Sequence, residues 1–183
     1  MQDKTNWDKY YQKSCKAAMY SRKITGGKLI KYIKQYSINN GISIAEIGGA
    51  NSCFFDLIQA KIKPQKYVLI DNNQLGLDKL KEQAEIYGNC ELINADILDF
   101  KEKLQLDFVY SIGVVEHFSI EGTAQAIKVH FDVLKPGGIA IISFPTPTFL
   151  YCISRFISQS LGMWIWYDER PLQISEVLRT SNS

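Results

Sequence analysis

The sequence contains 183 residues, which suits one domain, since domains usually comprise about 100–200 residues. Hydrophobic residues make up 46% and charged residues 22% of the chain, a composition that excludes disordered, collagenous and coiled-coil proteins. The net charge of +2 lacks the strongly basic balance of a dedicated nucleic-acid-binding protein, so we expect no nucleic-acid partner. No apolar run approaches the roughly 20 residues that cross a bilayer, and we expect no membrane span.

The cysteines stand far apart in the sequence and form no Cys-x-x-Cys pair: Cys15, Cys53, Cys90 and Cys152. This spacing predicts neither a metal site nor a disulfide framework. The polar, aromatic N-terminus is unlike a secretory signal, and free thiols are typical of a reducing compartment. We therefore expect a cytoplasmic protein. No sequence pattern indicates its oligomeric state.

Strand-like and helix-like segments alternate along the chain and predict an α/β fold with a mainly parallel, doubly wound, Rossmann-like sheet. Residues 1–37 are expected to be helical, with a break at Gly26-Gly27 and an amphipathic helix over 27–37. The predicted strands are 42–47, 66–70, 90–94, 108–112 and 138–144, and the predicted helices between them are 52–61, 74–86 and 120–134. The strands are continuously apolar, as expected when helices cover both faces of a sheet.

The tail, residues 146–183, is expected to be helical and is rich in aromatic residues. Four apolar side chains fit a helical stripe that we expect to be core: Phe149, Ile153, Phe156 and Ile157. Trp164 and Trp166 suit either a core or a pocket wall, and 163–167 is the sole strand-like run of the tail. Pro171 fits the first turn of a final helix over 172–178.

Polar residues and glycines follow the predicted strands at the ends where open parallel sheets bind their ligands. They are Glu46 and Gly48 after the first strand, Asp71 after the second, Asp96 after the third, and Ser111, Gly113, Glu116 and His117 after the fourth. A carboxylate in the position of Asp71 suits the two hydroxyls of a ribose, whereas an N-cap is the alternative for the segment from Asp71 to Asn73. The order of these residues predicts one shared binding site.

A nicotinamide dinucleotide site fits the first loop poorly. The fingerprint G-x-G-x-x-G would fall on positions 48, 50 and 53, of which Gly48 alone is glycine. Glu46 also places a carboxylate where a pyrophosphate would be repelled. A cationic ligand with an amino group and no phosphate suits this loop better, which favours S-adenosylmethionine.

The segment Glu46-Ile47-Gly48-Gly49-Ala50-Asn51-Ser52 resembles the acidic-x-Gly-x-Gly-x-Gly motif of class I S-adenosylmethionine-dependent methyltransferases, with Ala50 and Ser52 replacing two glycines. Further elements are similar to that family in the same order: Asp71, Asn94-Ala95-Asp96-Ile97, Asp107-Phe108-Val109-Tyr110-Ser111, Val115-Glu116-His117-Phe118 and Leu134-Lys135-Pro136-Gly137-Gly138. The last element is frequent in the branch that tailors small molecules and lipids. The resemblance covers residues 6–145, with a cofactor-binding core at 42–145.

The resemblance implies S-adenosylmethionine as the cofactor. It assigns cofactor contacts to Glu46, Gly48, Gly49, Ala50, Asp71, Asn72, Asp96, Ile97, Ser111 and Tyr11. Within this set, Glu46 would face the ammonium group through water, Asp71 would hold the ribose hydroxyls and Asp96 would accept from the adenine amino group. The Ser111 carbonyl would face the ammonium group, and the N-terminal segment with Tyr10 or Tyr11 would form a lid.

The implied activity is methyl transfer to a small-molecule, lipid or sugar acceptor, for which alignment supplies much of the rate. A hydroxyl acceptor also needs a general base. His117 is the first candidate and Glu116 the second, while a structural histidine is the alternative for His117. We expect His130 to be structural.

Two other functions remain open from the sequence: a non-catalytic S-adenosylmethionine-binding protein and, less favoured, an NAD-dependent oxidoreductase. The family sheet normally adds two strands after the fifth helix, and the 38 residues after Pro145 are short for both. We therefore expect either a truncated form or a minimal variant of the family fold.

Overall fold

The computed structural model describes residues 5–12, 18–37 and 41–181. Within these ranges the strands are β1 (Ser43–Ile47), β2 (Lys66–Asp71), β3 (Cys90–Asn94), β4 (Leu106–Ile112) and β5 (Leu134–Ser143). The helices are α1 (Trp7–Gln12), α2 (Ala18–Tyr36), α3 (Phe55–Lys61), α4 (Gln74–Tyr87), α5 (Ile120–Asp132), α6 (Phe149–Ser160) and α7 (Ile174–Ser181). A short 3₁₀ turn, Val115–His117, lies between β4 and α5.

The five strands form one parallel sheet in the order β3-β2-β1-β4-β5. The chain moves outward from β1 to β3 and then crosses to the other side of β1, so the strand order reverses between β1 and β4. Ligands bind at such a reversal, outside the carboxyl ends of the strands. The predicted α/β, Rossmann-like fold is confirmed.

Apolar side chains fill both faces of the sheet because neighbouring residues of a strand point in opposite directions. On one face, Ile44 and Tyr67 belong to a cluster that includes side chains of α2, α3 and α4. On the other face, Ala45 and Val68 belong to a cluster that includes side chains of α5. This double burial explains the continuously apolar strands and holds the strand ends in fixed positions.

The predicted break at Gly26-Gly27 is wrong, because α2 continues through both glycines from Ala18 to Tyr36. An added Cβ at Gly26 would lie 2.6 Å from Leu57 Cδ2 and 3.4 Å from Phe54 Cδ1. The missing side chain therefore lets α2 approach the Phe54–Leu57 segment closely. Here the glycine serves packing between helices rather than helix termination.

The predicted core stripe of the tail is also wrong. α6 has no buried residue, and Phe149 and Phe156 are 79% and 71% exposed. Helical spacing identifies an apolar face but not a surface that covers it, and α6 follows β5, which is an edge strand of the described sheet. The run 163–167 forms no strand, and Trp164 is buried.

The last helix begins at Ile174, two residues later than the sequence indicates, so Pro171 precedes it. Leu172 is fully buried, and its backbone N–H donates to the Pro145 carbonyl at 2.9 Å. This contact holds the segment between α6 and α7 against the end of β5. Among the described residues, no helix is both long and apolar enough to cross a bilayer.

Candidate functional site

A cavity of about 950 Å³ lies at the carboxyl ends of β1, β2 and β4. Its wall combines the loops that follow these strands with side chains of α1 and of the segment between α6 and α7. The cavity therefore lies at the reversal of strand order, where the sheet directs its strand ends toward a ligand.

The loop after β1 approaches the cavity through its backbone. Gly48 has φ +75°, and an added Cβ would lie 2.4 Å from Val114 Cγ2. A side chain here would meet both backbone strain and a clash. Gly48 and Ala50 line the cavity, whereas Gly49 packs against Leu69 and is not part of the wall.

Glu46 lies beneath this loop, 4% exposed, and its carboxylate accepts three hydroxyl hydrogen bonds. Tyr67 and Tyr110 donate to Oε2 at 2.6 and 2.7 Å, and Ser52 donates to Oε1 at 2.9 Å. Burial raises the pKa of Glu46, and these hydrogen bonds oppose the increase. Glu46 lines the cavity and ties β1 to β2 and β4. Neither tyrosine was predicted as a partner of Glu46, because both stand in apolar strands without a polar pattern.

Asp71, at the end of β2, lines the cavity and holds two backbone groups. Its Oδ2 accepts from the Ala50 N–H at 3.0 Å, and its Oδ1 accepts from the Asn73 N–H at 2.8 Å. Burial raises its pKa, and these N–H groups oppose the increase. Asn73 is the N-cap of α4, because its side chain accepts from the Gly76 N–H at 2.7 Å. Asn73, rather than Asp71, is therefore the residue that caps α4. Asp71 instead connects the loop after β1 to the end of β2.

The loop after β3 supplies another part of the wall. Asp96, Ile97 and Asn72 all line the cavity. Asp96 is exposed, and its Oδ1 accepts from the Leu98 N–H at 2.9 Å. Its other oxygen is thus available to a ligand.

Ser111 and His130 form a buried pair outside the cavity wall. The His130 Nδ1–H donates to the Ala126 carbonyl at 2.7 Å, so Nε2 accepts from the Ser111 hydroxyl at 2.8 Å. Burial lowers the pKa of His130 to about 4, which keeps the ring neutral. Ile112 and Gly113, rather than Ser111, line the cavity. The side chain of Tyr11 lies outside the described residues, whereas its neighbour Tyr10 contributes to the wall.

Acidic and aromatic side chains form another part of the wall. His117 Nδ1 lies 2.9 Å from Asp168 Oδ1, and the Trp7 ring packs edge-on against the imidazole with centroids 5.0 Å apart. Glu116 is 1% exposed, and its Oε2 has no hydrogen-bond partner among the described residues. Burial raises the pKa of Glu116 to about 8, and the charge of Glu169 adds to this effect.

Asp168 and Glu169 are wall residues that no sequence pattern predicted, whereas Trp166 takes the pocket-wall alternative of its two predicted positions. They lie about 50 residues beyond Glu116 in a segment without a motif. The Arg170 N–H donates to the Glu116 carbonyl at 2.9 Å and joins this segment to the turn after β4. Only the folded chain brings the two together.

Comparison with solved structures gives the same fold. Magnesium protoporphyrin IX methyltransferase from Synechocystis PCC 6803 with bound SAH matches with a TM-score of 0.71 at 15% identity over 95% of this chain and 80% of that chain. Cyclopropane synthase MmaA2 from Mycobacterium tuberculosis matches with 0.66 at 16% identity over 85% and 58%. A protein from Bordetella parapertussis described as a possible exported protein matches with 0.68 at 15% identity over 86% and 59%.

The chain thus spans less than two thirds of the length of several of the proteins that it matches. No curated protein matches the sequence. The family model described as a methyltransferase domain matches residues 44–138, more than half of the chain and the part that contains β1 to β4. The chain therefore belongs to the methyltransferase-domain family, and to its class I S-adenosylmethionine-dependent members, as the resemblance of its motifs predicted.

Proposed function

We propose that the chain binds S-adenosylmethionine in this cavity and transfers the methyl group to a small-molecule or lipid acceptor, with sugars as a further acceptor class. The observation that carries the proposal is the meeting of the Gly48 loop with the carboxylates of Glu46 and Asp71 at the strand-order reversal. Family membership supports the same cofactor.

The residues present fit this cofactor. A cavity of about 950 Å³ lies within the roughly 300–1,000 Å³ typical of small-molecule sites. Gly48 lets a ligand approach the backbone. Asp71 lines the cavity, and the two oxygens of its carboxylate suit the two hydroxyls of a ribose. Asp96 keeps an oxygen for an amino group.

When bound, S-adenosylmethionine supplies a methyl group on a sulfonium, which a nucleophile displaces in line. The chain contributes alignment and exclusion of water, since well-oriented reactants reach effective molarities of about 10⁵–10⁸ M. The aromatic side chains of Trp7, Tyr10 and Trp166 line the wall and give it apolar surface.

His117 and Glu116 are the proposed catalytic residues for an acceptor whose hydroxyl must lose a proton. Asp168 contacts His117 Nδ1 and fixes the orientation of the ring, which suits Nε2 for accepting a proton. Glu116 is the second candidate because its side chain reaches the same wall.

Calorimetry tests the proposal with S-adenosylhomocysteine and, as the matched control ligand, NAD. We expect binding of S-adenosylhomocysteine and none of NAD. No binding of S-adenosylhomocysteine at millimolar concentration contradicts the proposal. A screen of small-molecule, lipid and sugar acceptors with methyl-labelled cofactor then identifies the acceptor, and binding without any transfer indicates a non-catalytic protein instead.

A further inference from the structure

Three side chains on the acidic wall of the cavity come together from two distant parts of the chain. One ring nitrogen of His117 and one carboxylate oxygen each from Glu116 and Glu169 lie within 4.8 Å of one another. Glu116 and His117 stand in the turn after β4, and Glu169 stands in the segment between α6 and α7. The hydrogen bond from the Arg170 N–H to the Glu116 carbonyl sets this arrangement.

Glu116 carries an oxygen that lacks a partner. The side chain is buried and lines the cavity, and Oε2 forms no hydrogen bond with any described residue. Buried polar atoms in folded proteins almost always have a partner, and where one does not, a bound ion can be the group that satisfies it. The unpartnered oxygen therefore indicates a ligand at this wall.

His117 is held as metal-binding histidines are held. The contact of Nδ1 with Asp168 Oδ1 at 2.9 Å leaves Nε2 for a cation. A carboxylate in this position fixes the ring and increases the basicity of the other nitrogen. The Thr5 hydroxyl also donates to Asp168 and holds that carboxylate in place.

Carboxyl groups are concentrated at this wall. Glu116, Asp168 and Glu169 all line it, and Arg155 pairs with one oxygen of Glu169, with Nη1 3.9 Å from Oε1. Tyr151 donates to the same oxygen, which leaves Oε2 of Glu169 for a ligand.

We infer that Glu116, His117 and Glu169 bind a divalent transition-metal cation. Carboxylate oxygens together with an imidazole nitrogen suit Mn²⁺, Fe²⁺, Co²⁺ or Zn²⁺, and three protein ligands leave coordination positions open to another molecule. The use of the cation rests on the proposed function: it would polarise an oxygen of the acceptor and lower the pKa of a hydroxyl there. In that case Glu116 and His117 act as ligands rather than as a general base. Binding of the cation is independent of the proposed function.

The test uses the full chain after treatment with a chelator. Co²⁺ is added while the visible absorption is recorded, and Mn²⁺ and Zn²⁺ are titrated by calorimetry. We expect one cation per chain, and visible bands that report a nitrogen and oxygen ligand set. Glu116→Gln, His117→Ala and Glu169→Gln should each weaken binding at least tenfold, and Asp168→Asn about tenfold, because partners of metal ligands typically contribute 10–100-fold.

Glu91→Gln is the matched control, since Glu91 pairs with Lys66 at 2.7 Å on the surface and is not part of this cavity wall. Its affinity for the cation should equal that of the unmodified chain. Circular dichroism checks the folding of every variant, and Glu116→Gln and Glu169→Gln keep the shape of the side chain if His117→Ala does not fold.

The inference is overturned if the folded chain binds none of the three cations stoichiometrically, or if the ligand variants bind them as tightly as the control. S-adenosylhomocysteine binding is measured on the same samples. Binding of that ligand without cations overturns this inference alone, whereas cation binding without S-adenosylhomocysteine overturns the proposed function alone.

Discussion

Asp71 Oδ2 accepts the backbone N–H of Ala50 at 3.0 Å, so the carboxylate that ends β2 fixes the loop that follows β1. Asp71→Ala should weaken S-adenosylhomocysteine binding by about 1–3 kcal/mol, because a hydrogen-bonded charged group is lost from the cavity. Calorimetry measures the change. Asp132→Asn, on the exposed end of α5, is the control and should bind normally. Unchanged affinity in Asp71→Ala would show that Asp71 does not contact the cofactor.

The close approach of Gly48 to Val114 predicts a large effect of a single methyl group. Gly88 also has positive φ, at +70°, but an added Cβ there meets no atom within 4 Å. Gly88→Ala should cost about 1–2 kcal/mol from the backbone alone. Gly48→Ala should cost about 1–3 kcal/mol more, because the Cβ must displace Val114. Urea denaturation of both variants gives the difference, and equal losses would exclude the predicted clash.

We expect the Tyr67 hydroxyl, which lies beneath the cavity, to stabilise the folded chain. Tyr67→Phe removes a donor to the buried Glu46 carboxylate and should lower the free energy of unfolding by about 1–3 kcal/mol. Tyr87→Phe is the control, because that ring is 47% exposed and its change should remain within about 0.5 kcal/mol. Denaturant titration measures both. A loss no larger than that of the control would mean that the carboxylate does not depend on Tyr67.

We expect the His130 imidazole to titrate far below the usual range of a histidine. Since burial lowers its pKa to about 4, its imidazole resonances should stay constant from pH 8 to pH 5. The chain contains two histidines, so His117→Ala assigns the signals. The unfolded histidine binds a proton below about pH 6.5. Neutral His130 therefore contributes fully to the free energy of unfolding above pH 6.5. As the pH falls toward 4, the free energy of unfolding should decrease by an amount on the order of 3 kcal/mol. Titration of the His130 resonances near pH 6.5 in the folded chain would contradict the burial of this side chain.

Replacing His117 should reduce turnover, which can be measured once a hydroxyl acceptor is known. His117→Ala should lower kcat about 10²–10⁴-fold, the usual contribution of a group that assists proton removal. Steady-state kinetics measures kcat and KM, and Glu91→Gln, whose carboxylate pairs with Lys66 on the surface, is the control and should keep both values. Normal turnover of the alanine variant would assign His117 a structural role.

The sheet and the part of the cavity wall that follows β1, β2 and β3 are predictable from local sequence. The central strands are short apolar runs because they are buried on both faces, and Glu46, Gly48, Asp71 and Asp96 lie at or just beyond the carboxyl ends of strands. Such residues are predictable because the strand that carries them also places them.

The acidic wall does not follow from local sequence. Glu169 reaches Glu116 only through a contact between segments about 50 residues apart, and no spacing in the sequence encodes that contact. The exposed face of α6 shows the same limit, since the spacing of Phe149 and Phe156 defines an amphipathic helix without defining what covers it. Gly26 shows that the effect of a glycine depends on the helix packed against it.

The Glu46 carboxylate joins three adjacent strands under one side of the cavity. The segment between α6 and α7 lines the other side. The first side is part of the scaffold, and a substitution there disturbs the whole sheet. The second side is attached partly through side-chain contacts, such as that of Asp168 with His117, and partly through backbone hydrogen bonds from Arg170 and Leu172, which do not depend on side-chain identity. Replacing Trp166, Asp168 or Glu169 leaves these backbone hydrogen bonds in place. Under the proposed function, this wall is therefore the part of the cavity where substitutions would change the acceptor without disturbing the sheet.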